Sequence, residues 1–385
     1  MTLSRSLRSF FSDPSRWVDT LIIFVPVAIV LAILHADPTA VFITSALGIV
    51  PLAGILGEAT DALAHRAGAR VGTLLNATFG NAAELIITIA AIRAGLLEVV
   101  KASITGSIIG NILLVLGLSV LLGGLKNGFQ HFGRRIASVS VTMMAIAVIG
   151  LVIPAVFAHA IEERSQLDIE YLSIGVAIAL MIGYALNLVF TFTARELRGV
   201  PGAPEEIKHL KPGARPTGVQ SRGDSEPEHA GWSIRHALVV LAVSVIFIAA
   251  LSEILVDAIE PLIRQQGLTE LFVGVIVVPI IGNAAEHLVA VEMALKNKME
   301  IALGIALGSS MQIALFVGPL LVFISLIEGH PMSLVFNPFE LAALAASVVI
   351  AALIALDGES NWLEGAQLLI VYVILALAFF YLPQA

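Results

Sequence analysis

The pentapeptide Gly-Asn-Ala-Ala-Glu occurs twice in this chain, at Gly80–Glu84 and at Gly282–Glu286. Both copies sit inside long apolar runs, which places the carboxylates of Glu84 and Glu286 at depth. An ionised side chain in the middle of a bilayer costs at least ~2.5 kcal/mol on insertion scales, so its presence calls for a reason. One buried glutamate can be a neutral hydrogen bonder between helices. Two in identical motifs point instead to shared chemistry. Asn81 and Asn283 add an amide one turn before each acid, and Gly80, Gly282 and Pro279 loosen the adjoining helix. Unwound carbonyls at membrane depth are tolerated where they line a cavity and coordinate a cation.

Other polar residues recur around the two motifs. Thr78, Asn81, Glu84 and Thr88 follow helical spacing and form one stripe, while Asn283, Glu286 and His287 share a face. Ser103, Ser107 and Asn111 repeat every four residues, and Gly308, Ser309, Ser310 and Gln312 hold similar places further on. Glu58 and Asp61 end one apolar run, and Glu253 and Asp257 end another. These acids suit a path that collects cations or relays protons, although the two aspartates read equally well as solvated helix ends. Carboxylates, amides, hydroxyls and carbonyls together suit a hard cation such as Ca²⁺, Mn²⁺ or Mg²⁺. A softer metal would call for thiolates or several imidazoles, and the chain has no cysteine and one central histidine, His287. His287 can either titrate or bond a neighbour. Two facing carboxylates repel when both are charged, and either protons or a divalent cation relieve that repulsion. Such a site alternates between the two loads, its protons leaving as a coupled pair. Neither a phosphate-cradling Gly-x-x-x-x-Gly-Lys-Ser/Thr nor a His-Glu-x-x-His is present, which argues against an ATP-driven pump, a membrane protease or any enzyme.

The elements that must carry these residues are membrane helices. Of 385 residues, 58% are hydrophobic and 13% charged, and the mean hydropathy is +0.96; a soluble domain carries nearly twice that share of charge. Runs of spanning length fall near 17–35, 40–64, 71–92, 101–124, 135–158 and 171–194, then near 234–256, 269–295, 300–327, 339–356 and 362–382. These runs predict an all-α polytopic protein with about eleven spans. The first run follows a short basic arm and lacks a small-residue cleavage pattern, so it reads as a retained helix. Residues 197–232 hold five prolines and mixed charges and read as a linker. With the N-terminus in the cytoplasm, all but four of the 21 basic residues (Arg93, Lys101, Arg164 and Arg264) fall on that side. The positive-inside rule therefore orients the N-terminus inside and the C-terminus outside. The net charge of −8 argues against nucleic acid as a partner; the bilayer is the expected one.

The two motifs belong to a longer internal repeat. At the same 202-residue offset Glu98 matches Glu300, and Gly106-Ser107 matches Gly308-Ser309, without a gap. Glu58 corresponds more weakly to Glu253. The expected organisation is therefore an arm and first helix over 1–38, a five-helix repeat over 39–196, the cytoplasmic linker 197–232, and a second five-helix repeat over 233–385. An odd number of spans per repeat inverts the second relative to the first. Inverted repeats are a common architecture of secondary transporters, with the site where the repeats meet at mid-membrane.

The doubled motif, followed by GSIIGNILLVLG in one half and GSSMQIALFVGP in the other, resembles the calcium/cation antiporter superfamily, and within it the Ca²⁺/H⁺ exchanger branch. The resemblance implies that Glu84 and Glu286 bind Ca²⁺ and exchange it for protons by alternating access, exporting Ca²⁺ from the cytoplasm. It implies that Gly80, Gly282, Asn81, Asn283, Ser107, Ser309 and Gln312 line the site. Glu58, Glu253, His287 and Asn111 are expected along the ion or proton pathway. No cofactor is expected beyond the transported Ca²⁺ and H⁺. A Na⁺-coupled exchanger of the same fold is the alternative, disfavoured by Asn and Ala where that branch usually has Ser, Thr or Pro. The mixed charge of 197–232 departs from the acidic helix of larger relatives. The short N-terminus suggests a bacterial inner-membrane protein.

Overall fold

The computed structural model describes residues 18–160, 166–197 and 232–382. The basic arm and nearly all of the 197–232 linker expected from the sequence lie outside the described residues.

Thirteen helical segments account for almost all of the described chain. In the first half they are α1 (Val18–Ile33), α2 (Pro38–Ala67), α3 (Ala69–Phe79), α4 (Ala82–Arg93), α5 (Leu97–Asn127), α6 (Arg134–Ala160) and α7 (Gln166–Leu197). The second half contributes α8 (Ile234–Gln266), α9 (Glu270–Gly282), α10 (Ala284–Leu295), α11 (Met299–Ile327), α12 (Pro338–Ala355) and α13 (Trp362–Tyr381). Eight of these are long and apolar enough to cross a bilayer, and α9 with α10 makes a ninth crossing bent by 64°. The eleven expected spans thus resolve differently in two places. The run near 17–35 yields only the shorter α1. The run near 71–92 is broken into α3 and α4, of 11 and 12 residues.

Local chemistry sets several helix boundaries. Asp37 caps α2 by accepting from the backbone N–H groups of Thr39 and Ala40 at 3.0 and 3.2 Å, with Pro38 in the first turn. Asn337 with Glu340 and Asn361 with Glu364 form capping boxes at the starts of α12 and α13, each satisfying two amide protons a helix start would leave bare. Gly68 turns the chain between α2 and α3 at φ +83°, a conformation open to glycine at little cost.

Burial sorts the helices into a centre and a lipid-facing ring. The apolar windows of α5 and α11 are 72% and 67% buried, against 22% for those of α7 and α13. The outer helices expose Ile149, Leu186 and Ile374, which suits contact with lipid. α2 packs along α8, and their ends are joined where Gln265 donates to Asp37 at 2.8 Å and Thr39 to Gln265 at 3.1 Å. α5 and α9 meet backbone to backbone. A Cβ added at Gly106 would stand 2.2 Å from the Val275 carbonyl oxygen, and one at Gly274 would stand 2.4 Å from Ala102 Cβ. Small residues permit this approach. A short antiparallel ribbon, β1 (Gln130–His131) with β2 (Glu359–Ser360), ties two loops together.

Candidate cation-binding site

Each motif glutamate sits in the first turn of a helix that starts after a break. α3 stops at Phe79 and α4 begins at Ala82; α9 stops at Gly282 and α10 begins at Ala284. The asparagine at each break has nearly the same backbone, φ −101°, ψ 21° at Asn81 and φ −107°, ψ 7° at Asn283. Helix N-termini favour negative charge, so both carboxylates stand where the backbone stabilises an anion. π-helical turns add a second matched irregularity, over Gly110–Val115 in α5 and Ile313–Val317 in α11. Such turns concentrate at functional sites because they free backbone groups from the regular ladder.

The two motifs interlock across the centre of the protein. Ser107 donates to Glu84 Oε1 and accepts from the Asn283 amide at 3.3 Å. Ser309 donates to Asn81 Oδ1 at 3.1 Å and also faces the Glu286 carboxylate. The Asn81 amide donates to Gln312 Oε1 at 2.7 Å. Gly282 packs behind Glu84, its absent Cβ falling 3.5 Å from Glu84 Cβ, and the absent Cβ of Gly80 would fall 3.7 Å from Glu286 Oε1. One oxygen of each glutamate, Glu84 Oε2 and Glu286 Oε2, is buried without a partner among the described residues. These are open lone pairs at the heart of a set that otherwise offers hydroxyl and amide oxygens. No cluster of three or more His, Asp or Glu suited to a metal occurs among the described residues.

The glutamates differ in access. Glu84 is 2% exposed and sealed, whereas Glu286 lines a cavity of about 160 Å³. Thr60, Asp61, Asn76, Ser309 and Gln312 form its polar wall, and Asn76 donates to Asp61 at 3.3 Å. The residues expected from sequence at the centre are therefore brought together. Those expected along a pathway are scattered. Glu58 is not part of the cavity wall, where Asp61 stands instead. Glu253 is exposed on α8, 4.0 Å from Arg93. His287 follows Glu286 but stays out of the lining, and Asn111 lies in a π turn with its amide nitrogen unpartnered among the described residues. The stripe expected from Thr78 to Thr88 does not survive the break at Gly80-Asn81. Thr78 is exposed and bonds back to Leu74, and Thr88 bonds back to Glu84, the ordinary fate of hydroxyls in membrane helices. Thr60 and Asn76 are cavity residues that the sequence does not single out, and of the two readings open for Asp61, ion pathway or solvated helix end, its place in the wall favours the first. The one-turn spacing of Ala53, Gly57, Thr60 and Asp61 along α2 was the available signal.

A polytopic helical bundle with two broken helices, each presenting a buried carboxylate to the same centre, defines a secondary transporter architecture. The chain belongs to the sodium/calcium exchanger protein family, whose model matches residues 38–193 and 236–381. It is 44% identical over 365 residues to the Ca²⁺/H⁺ antiporter of Aphanothece halophytica, covering 94% of this chain and 96% of the relative. It is 42% identical to the Ca²⁺/H⁺ antiporter ChaA of Bacillus subtilis, covering 93% and 97%. Among solved structures, native YfkE superposes with a TM-score of 0.78 at 38% identity, covering 95% of this chain and 100% of that one. The H⁺/Ca²⁺ exchanger CAX shares the fold with a TM-score of 0.67 at 14% identity, covering 94% and 91%.

Proposed function

We propose that this protein is a secondary antiporter that exchanges Ca²⁺ for protons by alternating access and exports Ca²⁺ from the cytoplasm. The observation that carries the reading is the pair of opposed carboxylates, Glu84 and Glu286, each with an unpartnered oxygen in a ring of serine and asparagine donors. Ca²⁺ takes six to eight oxygen ligands in a flexible arrangement, and this set supplies carboxylate, hydroxyl, amide and carbonyl oxygens. When the ion leaves, the two acids cannot both stay charged in a dry centre, so protons replace it. Asn81, Asn283, Ser107, Ser309 and Gln312 orient the acids, and Gly80 and Gly282 let the two motifs approach.

The cavity at Glu286 is the route by which one face reaches the site, and Asp61 supplies its negative wall. The distribution of Lys and Arg makes that face the cytoplasmic one in a cell inner membrane, with the N-terminus inside and the C-terminus outside. Relatives matching nearly the full chain are Ca²⁺/H⁺ antiporters, which favours proton over Na⁺ coupling. A gradient swap tests this. Sealed vesicles containing the purified protein should take up Ca²⁺ when the lumen is acid and should not respond to an imposed Na⁺ gradient. Uptake driven by Na⁺ alone would replace the proton reading with Na⁺ exchange, and uptake needing neither gradient would indicate a channel.

A further inference from the structure

The open cavity has a packed counterpart. At the spacing that relates Glu58 to Glu253, the lining residues Ala53, Leu56, Gly57 and Thr60 correspond to Ile248, Leu251, Ser252 and Leu255 of α8, all 0% exposed. At the 202-residue spacing of the motifs, the lining residues Gly304, Ile305 and Ser309 correspond to Ala102, Ser103 and Ser107, which are 0–1% exposed. Ala53, Gly57 and Ile305 are partly exposed on the open route, whereas their counterparts Ile248, Ser252 and Ser103 are 0% exposed, so at these positions the second route is filled with side chains. Two residues of the filled route are polar and idle: Ser103 Oγ and Ser252 Oγ are buried with no partner among the described residues. Buried hydroxyls are normally bonded; Ser45, Ser119 and Ser360 are also unpartnered among the described residues, but Ser103 and Ser252 stand at counterparts of the open lining, where water would reach both in a second state.

Arg93 stands over that route. It ends α4 nine residues beyond Glu84, roughly 13 Å further along at 1.5 Å per residue, whereas Asn76 of the open cavity lies before the break. Its Nε and Nη2 donate to Glu328 Oε1 at 3.1 and 3.0 Å, and its Nη1 lies 4.0 Å from Glu253 Oε1. Arg93 thus joins α4 of the first half to the end of α11 and to α8 in the second. His330 also faces Glu328. Glu253 is the residue next to Ser252, so parting α8 from α4 would break the longer contact and expose the hydroxyl together.

We propose that a second ion path, closed in this structure, runs from Glu84 past Ser103 and Ser252 to the face opposite the cavity, and that Arg93 with Glu328 and Glu253 is the ionic latch across its mouth. The proposal rests on the exchange reading of the same carboxylates. The latch is light, because exposed ion pairs are screened by water; it biases the two states by a few-fold without locking either. Opening it gives the two hydroxyls water as a partner and turns Glu253 and Glu328 towards departing cations.

The chain contains no cysteine, so the near-isosteric Ser252→Cys places a single thiol on the closed path. Its reaction with a charged thiol reagent is followed in the purified, detergent-solubilised protein. The rate should be slow in the otherwise unchanged chain. It should rise about two- to five-fold on adding Arg93→Gln or, from the other side of the pair, Glu328→Gln, because labelling follows the open population. The full charge swap, Arg93→Glu with Glu328→Arg and Glu253→Arg, should return it to the starting value, because both partners of position 93 then carry the complementary charge. A separate thiol at Ala177, 0% exposed on α7, should not respond to any of these changes. Unchanged labelling at position 252 in both single variants overturns the latch, as does a faster rate that the swap leaves in place or that position 177 shares. Labelling needs no transport. A chain that labels as expected yet exchanges no Ca²⁺ for protons would keep the path and sink the exchange reading.

Discussion

The amide of Asn283 donates to the hydroxyl of Ser107 at 3.3 Å, and that hydroxyl donates in turn to Glu84. An amide of the second motif thereby orders the carboxylate of the first. Ser309 makes the reciprocal link, donating to Asn81 at 3.1 Å while facing Glu286. Neither half holds a finished site alone.

Ser107→Ala should therefore harm both motifs. It removes the donor to Glu84 and takes from the Asn283 side-chain amide one of its acceptors, leaving its contact to the Pro279 carbonyl. Losing one partner of a buried polar pair costs about 1–3 kcal/mol. If that cost falls on the ion-loaded state, the Ca²⁺ concentration for half-maximal uptake rises by roughly five- to a hundred-fold. Radiolabelled Ca²⁺ uptake as a function of concentration measures it, and an unchanged half-saturation would remove Ser107 from the site.

Asp61→Asn should act differently. Asp61 lies in the cavity wall with Glu286 and accepts from Asn76, so it supplies charge along the approach. Loss of that charge should slow uptake at low Ca²⁺ by several-fold, mostly at low ionic strength, where steering is least screened. The maximal rate at saturating Ca²⁺ should be nearly that of the unaltered chain. A collapse of the maximal rate would instead place Asp61 in the exchange step.

Gly106→Ala should be among the most disruptive small changes in the protein. Its added methyl would fall 2.2 Å from Val275 O and 2.5 Å from Val275 Cα, both backbone atoms that cannot swing aside. Overpacking of this kind costs about 1–3 kcal/mol. The thermal midpoint of the purified protein should drop by several degrees, while Gly57→Ala, with nothing within 4 Å of the new methyl, should leave it almost unchanged. Equal midpoints for the two would contradict the close approach of α5 and α9.

Glu340 gives a stability test away from the ions. It is 1% exposed, accepts from Thr105 at 2.5 Å and from the Asn337 backbone N–H at 2.9 Å, and closes the capping box of α12. Glu340→Ala strands the Asn337 N–H, leaves the Thr105 hydroxyl only the Lys101 and Ala102 carbonyls of its own helix, and should destabilise by about 1–3 kcal/mol. Variant protein that survives purification should still couple Ca²⁺ to protons, as shown by acid-driven uptake.

Much of this architecture was legible in the residues. The duplicated motif placed Glu84 and Glu286 at the centre, and apolar run length placed most helices. The breaks were legible in kind, from Gly-Asn and Pro279, but not in extent, because a hydropathy window averages over a two-residue interruption. The pathway acids were the weakest part. Glu58 and Asp61 lie three residues apart on one helix, and which of them faces a cavity depends on the rotation of α2 against α3 and α10. Periodicity does not supply that rotation. Glu253 looked equivalent to Glu58 by sequence, yet Glu253 is exposed and approaches Arg93 at 4.0 Å, while Glu58 stands outside the cavity wall that Asp61 lines.

The most direct test of the exchange account is Ca²⁺ uptake into acid-loaded inside-out vesicles carrying the unaltered chain, Glu84→Gln or Glu286→Gln. Glutamine keeps the size of each side chain and one acceptor oxygen, and removes its charge and its proton. The account predicts rapid uptake that vanishes when the pH gradient is collapsed, and a loss of about a hundred-fold or more in each variant, since neither carboxylate alone can balance a dehydrated divalent ion. Uptake that persists in both variants at the rate of the unaltered chain would contradict it.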